Sequence, residues 1–528
     1  MQRLPAYLRM MRRRRRTGPP ARYDVTWEPR LRVPAADGTT VRADHYAPVT
    51  DEPCPTILIR SPYGFSFPWS YLYGTLFAEQ GFHVLLAGTR GYVTFGRHEV
   101  DDGLAAVAWL RGQPWFTGEF ATIGGSYLAY TQWALAIEPP PGWRAAVLQV
   151  AAHKPGFWAG GAFALELGLV AGVGLFSSAL GPLRYAGAVL RLQRHLKRVT
   201  RGVPLLDVYP RAFGGRRQSF EDWLTHPAPD DAYWKGMDLS AAAETLSVPT
   251  SIATGWWDLT LDQSLEQYAR MRAAGHDPDL LIGPWTHTSA FDRGWPELFA
   301  QALRRLRGEE PAQRVRVHVG GVDEWRELGQ WPPAEAAELK FHLNAGSPGV
   351  GRLAGGRLGS EPGGGSSTFH YDPANPTPSF GGKLQSPTQG QRDNARLERR
   401  TDVLTFTSDP LTTAIEVLGP VRAEVDVDFT AASADVFARL CDVDPRGRSL
   451  NVTDGLVRLT AGGRAVVDMS HAGHRFRPGH RLRLQLSGGA HPRWTRNYGT
   501  GEPVATAVRM TANDTTVHHS SALVLSVV

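Results

Sequence analysis

The sequence predicts an α/β domain on a mostly parallel sheet, interrupted by a helical cap and followed by an all-β jelly-roll domain. Three observations carry this expectation. From about 22 to 150, and again from 246 to 310, strand-like and helix-like stretches alternate, the rhythm of parallel strands joined by covering helices. Between them, at 151–245, the alternation stops in a segment that is Gly/Ala/Leu-rich and then basic. From 311 to 528 the chain reads as short strands parted by Gly, Pro and Asp turns, without long helices, which points to a β-sandwich.

Element by element, 23–33 and 40–46 flank the turn Ala36-Asp37-Gly38 and read as a hairpin. Strands follow at 56–60 and 83–87. A helix is expected at 101–111, with Leu104, Val107, Ala108 and Leu110 near one face. Next come a strand at 120–123, a helix at 127–137 and a strand at 145–150. After the cap, a strand at 248–253, a helix at 260–274 and a strand at 279–282 resume the rhythm. The jelly roll is expected to begin with the strand 315–319, and 349–365 reads as a glycine-rich loop.

The net charge of +6 does not imply a nucleic-acid partner. Residues 1–20 hold seven arginines and no acid, so residues 21–528 sum to −1. The basic character belongs to a tail at 1–21, expected to be disordered; contact with a membrane surface or nucleic acid is the minority reading. The arginine run passes into Thr17-Gly18-Pro19-Pro20 with no apolar core, so it does not read as a secretion signal. The apolar run at 165–180 is broken by glycines and contains Glu166, which argues for a buried helix rather than a membrane span. Two cysteines, Cys54 and Cys441, cannot form a disulfide framework. A cytoplasmic location is the default, and a homo-oligomer is left open.

The chemistry centres on Ile123-Gly124-Gly125-Ser126-Tyr127-Leu128-Ala129. A strand runs into Gly-x-Ser and a helix follows, the setting of a nucleophile elbow in an α/β-hydrolase fold. The strict G-x-S-x-G pattern fails at Leu128; Ala129 is small instead. Alone, the motif could be an ordinary Gly-Ser turn. A serine nucleophile needs a base, and the base an orienting acid. Asp258 falls just past one predicted strand and His287 just past the next, in the order Ser, Asp, His. Singly, Asp258 could be a helix cap and His287 a structural loop residue; together they make a Ser126–Asp258–His287 triad. The oxyanion of acyl transfer needs two donors. The Tyr127 N–H is expected as one, and the Tyr63 hydroxyl, in the loop Arg60-Ser61-Pro62-Tyr63-Gly64, as the other; alone, Tyr63 could be an aromatic packing residue in a Pro-anchored turn.

These segments, with Gly255-Trp256-Trp257-Asp258, Gly283-Pro284-Trp285-Thr286-His287, Trp325-Arg326 and Trp331-Pro332-Pro333, resemble the CocE/NonD family of cocaine-esterase-like hydrolases. That group also takes in α-amino-acid ester hydrolases and relatives of X-Pro dipeptidyl-peptidases. The resemblance covers nearly the whole chain after residue 22. It implies Ser126 as nucleophile, His287 as base, Asp258 as its partner, Tyr63 and Tyr127 as oxyanion donors, and a helical cap over the pocket. Two positions depart from the pattern: Ala129 stands where Gly is usual, and Gly88 where Asp or Asn is expected.

Function is thus expected to be hydrolysis of a small-molecule ester, or an amide, through an acyl-enzyme. Candidate substrate-binding residues are Trp158, Phe163, Glu166, Trp257, Leu259 and Trp285. Glu166 is the single acid in the cap segment 151–206, which favours neutral hydrophobic or aromatic acyl groups over substrates bearing an ammonium. The alternatives are an X-Pro dipeptidyl-peptidase or α-amino-acid ester hydrolase. Outside enzymes, the alternative is a jelly-roll binding protein on a dead scaffold. The scattered histidines, the lack of H-E-x-x-H and the lack of a P-loop give no sign of a metal or cofactor.

Overall fold

The computed structural model describes residues 2–3, 18–90, 96–177, 182–346 and 355–528. Eleven strands form the first sheet: β1 (Gln2–Arg3), β2 (Val25–Pro34), β3 (Thr40–Pro48), β4 (Thr56–Ser61), β5 (His83–Gly88), β6 (Phe120–Gly125), β7 (Trp143–Gln149), β8 (Thr250–Trp257), β9 (Asp279–Thr286), β10 (Val315–Val319) and β11 (Glu324–Leu328). Their spatial order is β1-β2-β3-β5-β4-β6-β7-β8-β9-β10-β11. From β5 through β10 every neighbouring pair is parallel, and antiparallel strands close both edges. This is the α/β-hydrolase arrangement. Its central strands β4, β6 and β8 are buried along nearly their whole length, as sheets covered on both faces must be.

Helices cover both faces. Tyr127–Ile137 packs with Glu99–Arg111 and Ala242–Thr245, while Trp295–Leu306 lies against β7 and β8. The core is correspondingly split into two apolar clusters, one holding Trp133, Leu148 and Ile252, the other Phe77, Ile123 and Trp295.

Although it lies past the expected boundary near 310, the strand β10 pairs with β9 and extends the first sheet, with β11 folded back on it. Val315, Val317 and Val319 are fully buried. Their alternation suits either domain, and only pairing decides between them.

The inserted segment is helical, with α-helices at Leu165–Ser177, Pro182–Val199, Val208–Phe213 and Gln218–Thr225. Before them a short ribbon pairs Trp158–Ala159 with Ala162–Phe163. Phe157, Phe163, Tyr209, Phe220 and Trp223 give the cap its own apolar core. The C-terminal domain is all-β, with strands antiparallel except where Gly355–Gly359 pairs parallel with Val403–Thr407. Of the segment 349–365 expected as loop, 349–354 lie outside the described residues and 355–359 form this strand, since glycine bars no residue from a ladder where neighbouring backbone comes close. A Cβ on Gly356 would lie 2.0 Å from the Asn344 carbonyl oxygen.

The expected disordered tail falls largely outside the described residues. Within it, Gln2–Arg3 pairs with Thr26–Trp27. Among the described residues no helix is long and apolar enough to cross a membrane.

Candidate active site

Ser126 sits between β6 and the helix Tyr127–Ile137 with φ 58° and ψ −123°. A non-glycine residue held at positive φ is strained and persists only where its surroundings enforce it. Here the enforcement is visible. The Ser126 N–H donates to the Gln149 carbonyl at 2.9 Å, pinning the turn to the end of β7. A Cβ at Gly124 would lie 2.3 Å from Leu128 Cβ, and one at Gly125 would lie 2.4 Å from the Phe291 ring. Both glycines are therefore required by close approach, and Leu128 takes the space that a glycine there would leave.

Asp258 and His287 follow the C-terminal ends of β8 and β9, the edge where ligands meet open α/β sheets. His287 Nε2 lies 2.9 Å from Ser126 Oγ, and His287 Nδ1 lies 2.7 Å from Asp258 Oδ1. Asp258 is fully buried. Its Oδ2 accepts from the hydroxyls of Thr254 and Thr260, both at 2.8 Å, and its Oδ1 accepts from the Thr260 N–H at 3.2 Å. A carboxylate so supplied with donors accepts from Nδ1–H, which leaves the Nε2 lone pair facing the serine hydroxyl. Thr254 and Thr260 carry no motif of their own; their spacing of four before and two after Asp258 is intelligible only once the strand end is known.

Tyr63 is held by stacking on Trp69, with ring centroids 5.0 Å apart, and by its N–H donating to Ser61 Oγ at 3.1 Å. Its hydroxyl donates to Ser126 Oγ at 3.1 Å and accepts from the Tyr127 N–H at 3.3 Å. The two expected oxyanion donors thus converge beside the serine oxygen. Behind them runs a buried network. The Tyr127 hydroxyl donates to Glu99 Oε1 at 2.9 Å, and Arg60 NH2 donates to Glu99 Oε2 at 2.6 Å. It ties the strand that leads to Tyr63 to the helix that follows Ser126.

The serine opens into a cavity of about 790 Å³, in the usual range for a small-molecule site. Its walls come from the 63–69 segment, the 152–157 segment, the cap helix through Leu167, Val170 and Ala171, the 259–263 turn, Phe291, and Gln385 of the β domain. Of the candidate substrate-binding residues, Leu259 lines it. Trp158, Phe163, Glu166, Trp257 and Trp285 do not, and each has a reason. Trp158 donates to the Trp223 carbonyl at 2.7 Å within the cap. Phe163 is fully buried in the cap core. Trp257 packs on the core cluster that holds Trp133 and Ile252. Trp285 is wedged where a Cβ on Gly283 or Gly294 would touch its ring at 2.5 and 2.6 Å. Glu166 is buried at the cap–β-domain junction. Its Oε1 accepts from the N–H groups of Gln385 and Ser386 at 2.9 and 2.5 Å. Burial pushes its carboxyl above the ordinary range, against the opposing pull of those two N–H groups and of Arg493. The aromatic wall that sequence reasoning missed is Phe65, Trp69 and Phe291.

An α/β-hydrolase sheet and a separate all-β domain, with a serine, histidine and aspartate linked at the strand ends, define a serine hydrolase. The family model described as X-Pro dipeptidyl-peptidase (S15 family) matches residues 37–289, and that described as the X-Pro dipeptidyl-peptidase C-terminal non-catalytic domain matches 308–522. Cocaine esterase of Rhodococcus sp. (strain MB1 Bresler) is 31% identical over 532 residues, covering 90% of this chain and 92% of the relative. Among solved structures, an α-amino acid ester hydrolase superposes with a TM-score of 0.78 at 19% identity, covering 96% of this chain and 97% of that one. A CocE/NonD family hydrolase from Staphylococcus aureus superposes with a TM-score of 0.67 at 15% identity, covering 96% and 94%. The chain belongs to the CocE/NonD family and is a serine ester hydrolase.

Proposed function

We propose that Ser126 is the nucleophile of an esterase for neutral substrates with hydrophobic or aromatic acyl groups. His287 Nε2 takes the hydroxyl proton as Oγ bonds to the ester carbonyl carbon. The resulting oxyanion accepts from the Tyr63 hydroxyl and the Tyr127 N–H. The alcohol then leaves with the proton from His287, and water, deprotonated by the same imidazole, releases the acid. The observation that carries this reading is the unbroken hydrogen-bonded chain from Asp258 through His287 and Ser126 to Tyr63.

The wall chemistry supports neutral substrates. The charged residues lining the cavity are Arg42 and Lys154, held by Asp44 and Glu266 respectively. Among the described lining residues there is no carboxylate. A substrate ammonium would enter without a counter-ion, which is costly. The family models' description keeps X-Pro dipeptidyl-peptidase activity as the second reading. The test is kcat/KM for phenyl and benzoyl esters beside phenylglycine methyl ester and Gly-Pro-p-nitroanilide. The neutral esters are expected to lead; a tenfold advantage for either amine-bearing substrate overturns the preference.

A further inference from the structure

One polar group on the cavity wall has a fixed orientation and an unused pair of hydrogens. Gln263 lies in the first turn of the helix Leu261–Ala273, five residues after Asp258, and lines the cavity. Its Oε1 accepts from the N–H of His153 at 2.9 Å and the N–H of Lys154 at 3.2 Å. Two backbone donors on one oxygen decide which end of the amide is which. Nε2 therefore points the other way, toward Gly156, where a Cβ would come within 2.8 Å of it. Gly156 also lines the cavity, so its missing side chain leaves the amide NH2 uncovered. Nε2 has no hydrogen-bond acceptor among the described residues, and it is not sealed from the cavity as the buried unpartnered atoms of this chain are.

Three other polar groups of the cavity wall are engaged. Arg42 is paired with Asp44, Lys154 with Glu266, and the Thr260 hydroxyl with Asp258. The amide of Gln263 is thus a pre-set donor in an otherwise largely apolar wall. A ligand methylene placed there would strip the NH2 of solvent and return nothing, while an oxygen would restore the bond.

We infer that Gln263 is a specificity-determining residue, donating from Nε2 to an acceptor oxygen that the ester substrate carries apart from its scissile group, such as an ether or a second carbonyl. This deepens the esterase reading above and rests on it. The class of substrate is then a neutral ester with one further hydrogen-bond acceptor, rather than a plain alkyl ester.

Two isosteric pairs test it, one for each side of the ester bond: p-nitrophenyl 4-methoxybutanoate against p-nitrophenyl hexanoate, and 2-methoxyethyl butyrate against butyl butyrate. The wild type should favour the ether in at least one pair by roughly fivefold in kcat/KM, the worth of one neutral hydrogen bond. Gln263→Glu keeps an oxygen for the two backbone donors and puts an acceptor in place of Nε2. Gln263→Met removes the donor without adding charge. Both should lose the preference while turning over the alkyl member of each pair. A wild type indifferent within both pairs, or a preference that survives both substitutions, overturns the assignment. No hydrolysis of any of the four esters by the wild type would instead overturn the esterase reading beneath it.

Discussion

The phenolic oxygen of Tyr63 lies 3.1 Å from Oγ of Ser126, and the same oxygen accepts the N–H of Tyr127 at 3.3 Å. In the proposed mechanism an ester oxygen replaces the serine as acceptor for Tyr63 and replaces Tyr63 as acceptor for Tyr127. Tyr63→Phe should lower kcat by roughly 10²–10³-fold, the loss of one oxyanion donor, with thermal stability nearly unchanged. Turnover near wild type would return Tyr63 to a packing role against Trp69.

The Arg60–Glu99 pair beneath the site is buried on both sides, with side-chain exposures of 4% and 2%. Removing one partner strands the other charge away from water. Glu99→Ala should therefore cost about 3–5 kcal/mol of stability, read by chemical denaturation. A loss under about 1 kcal/mol would mean that water reaches Arg60 freely and the pair is not a structural tie.

Glu166 offers a test through pH. Burial raises its carboxyl above the ordinary range, so between the unfolded and folded values the native state holds the extra proton. Stability contributed by the protonated form is complete below the unfolded value and is lost as pH rises through the folded one. Glu166→Gln, which mimics the protonated carboxyl, should remove that decline. Its Tm relative to wild type should rise from about pH 4 to pH 7.5. A deficit equal at all pH values would show that the N–H bonds to Gln385 and Ser386 need the full negative charge.

That Ser126, Asp258 and His287 fall at strand ends is legible because each follows a strand whose apolar run can be read without knowing its neighbours. Ser126 also carries its own glycine signature. The pocket wall was less legible because lining is decided by packing. Trp285 flanks His287 in sequence, yet its ring packs into space left by Gly283 and Gly294. Phe65 and Trp69 reach the cavity from the segment just after Tyr63, which carries no motif of its own. Glu166 stands on a helix that does line the cavity, but its carboxylate is taken up by Gln385 and Ser386, 219 and 220 residues further on. The pairing of Val315–Val319 with β9 is not legible for the same reason, since strand pairing across a boundary leaves no local mark.

The most direct test of the proposed chemistry is covalent. The full-length protein treated with a fluorophosphonate probe, digested and sequenced by mass spectrometry should carry the adduct on Ser126. Ser126→Ala should be unlabelled and about 10⁶-fold slower in kcat on a p-nitrophenyl ester, the usual cost of a triad nucleophile. Equal labelling of the Ser126→Ala variant, or an adduct mapped to another serine with turnover retained, would contradict Ser126 as the nucleophile.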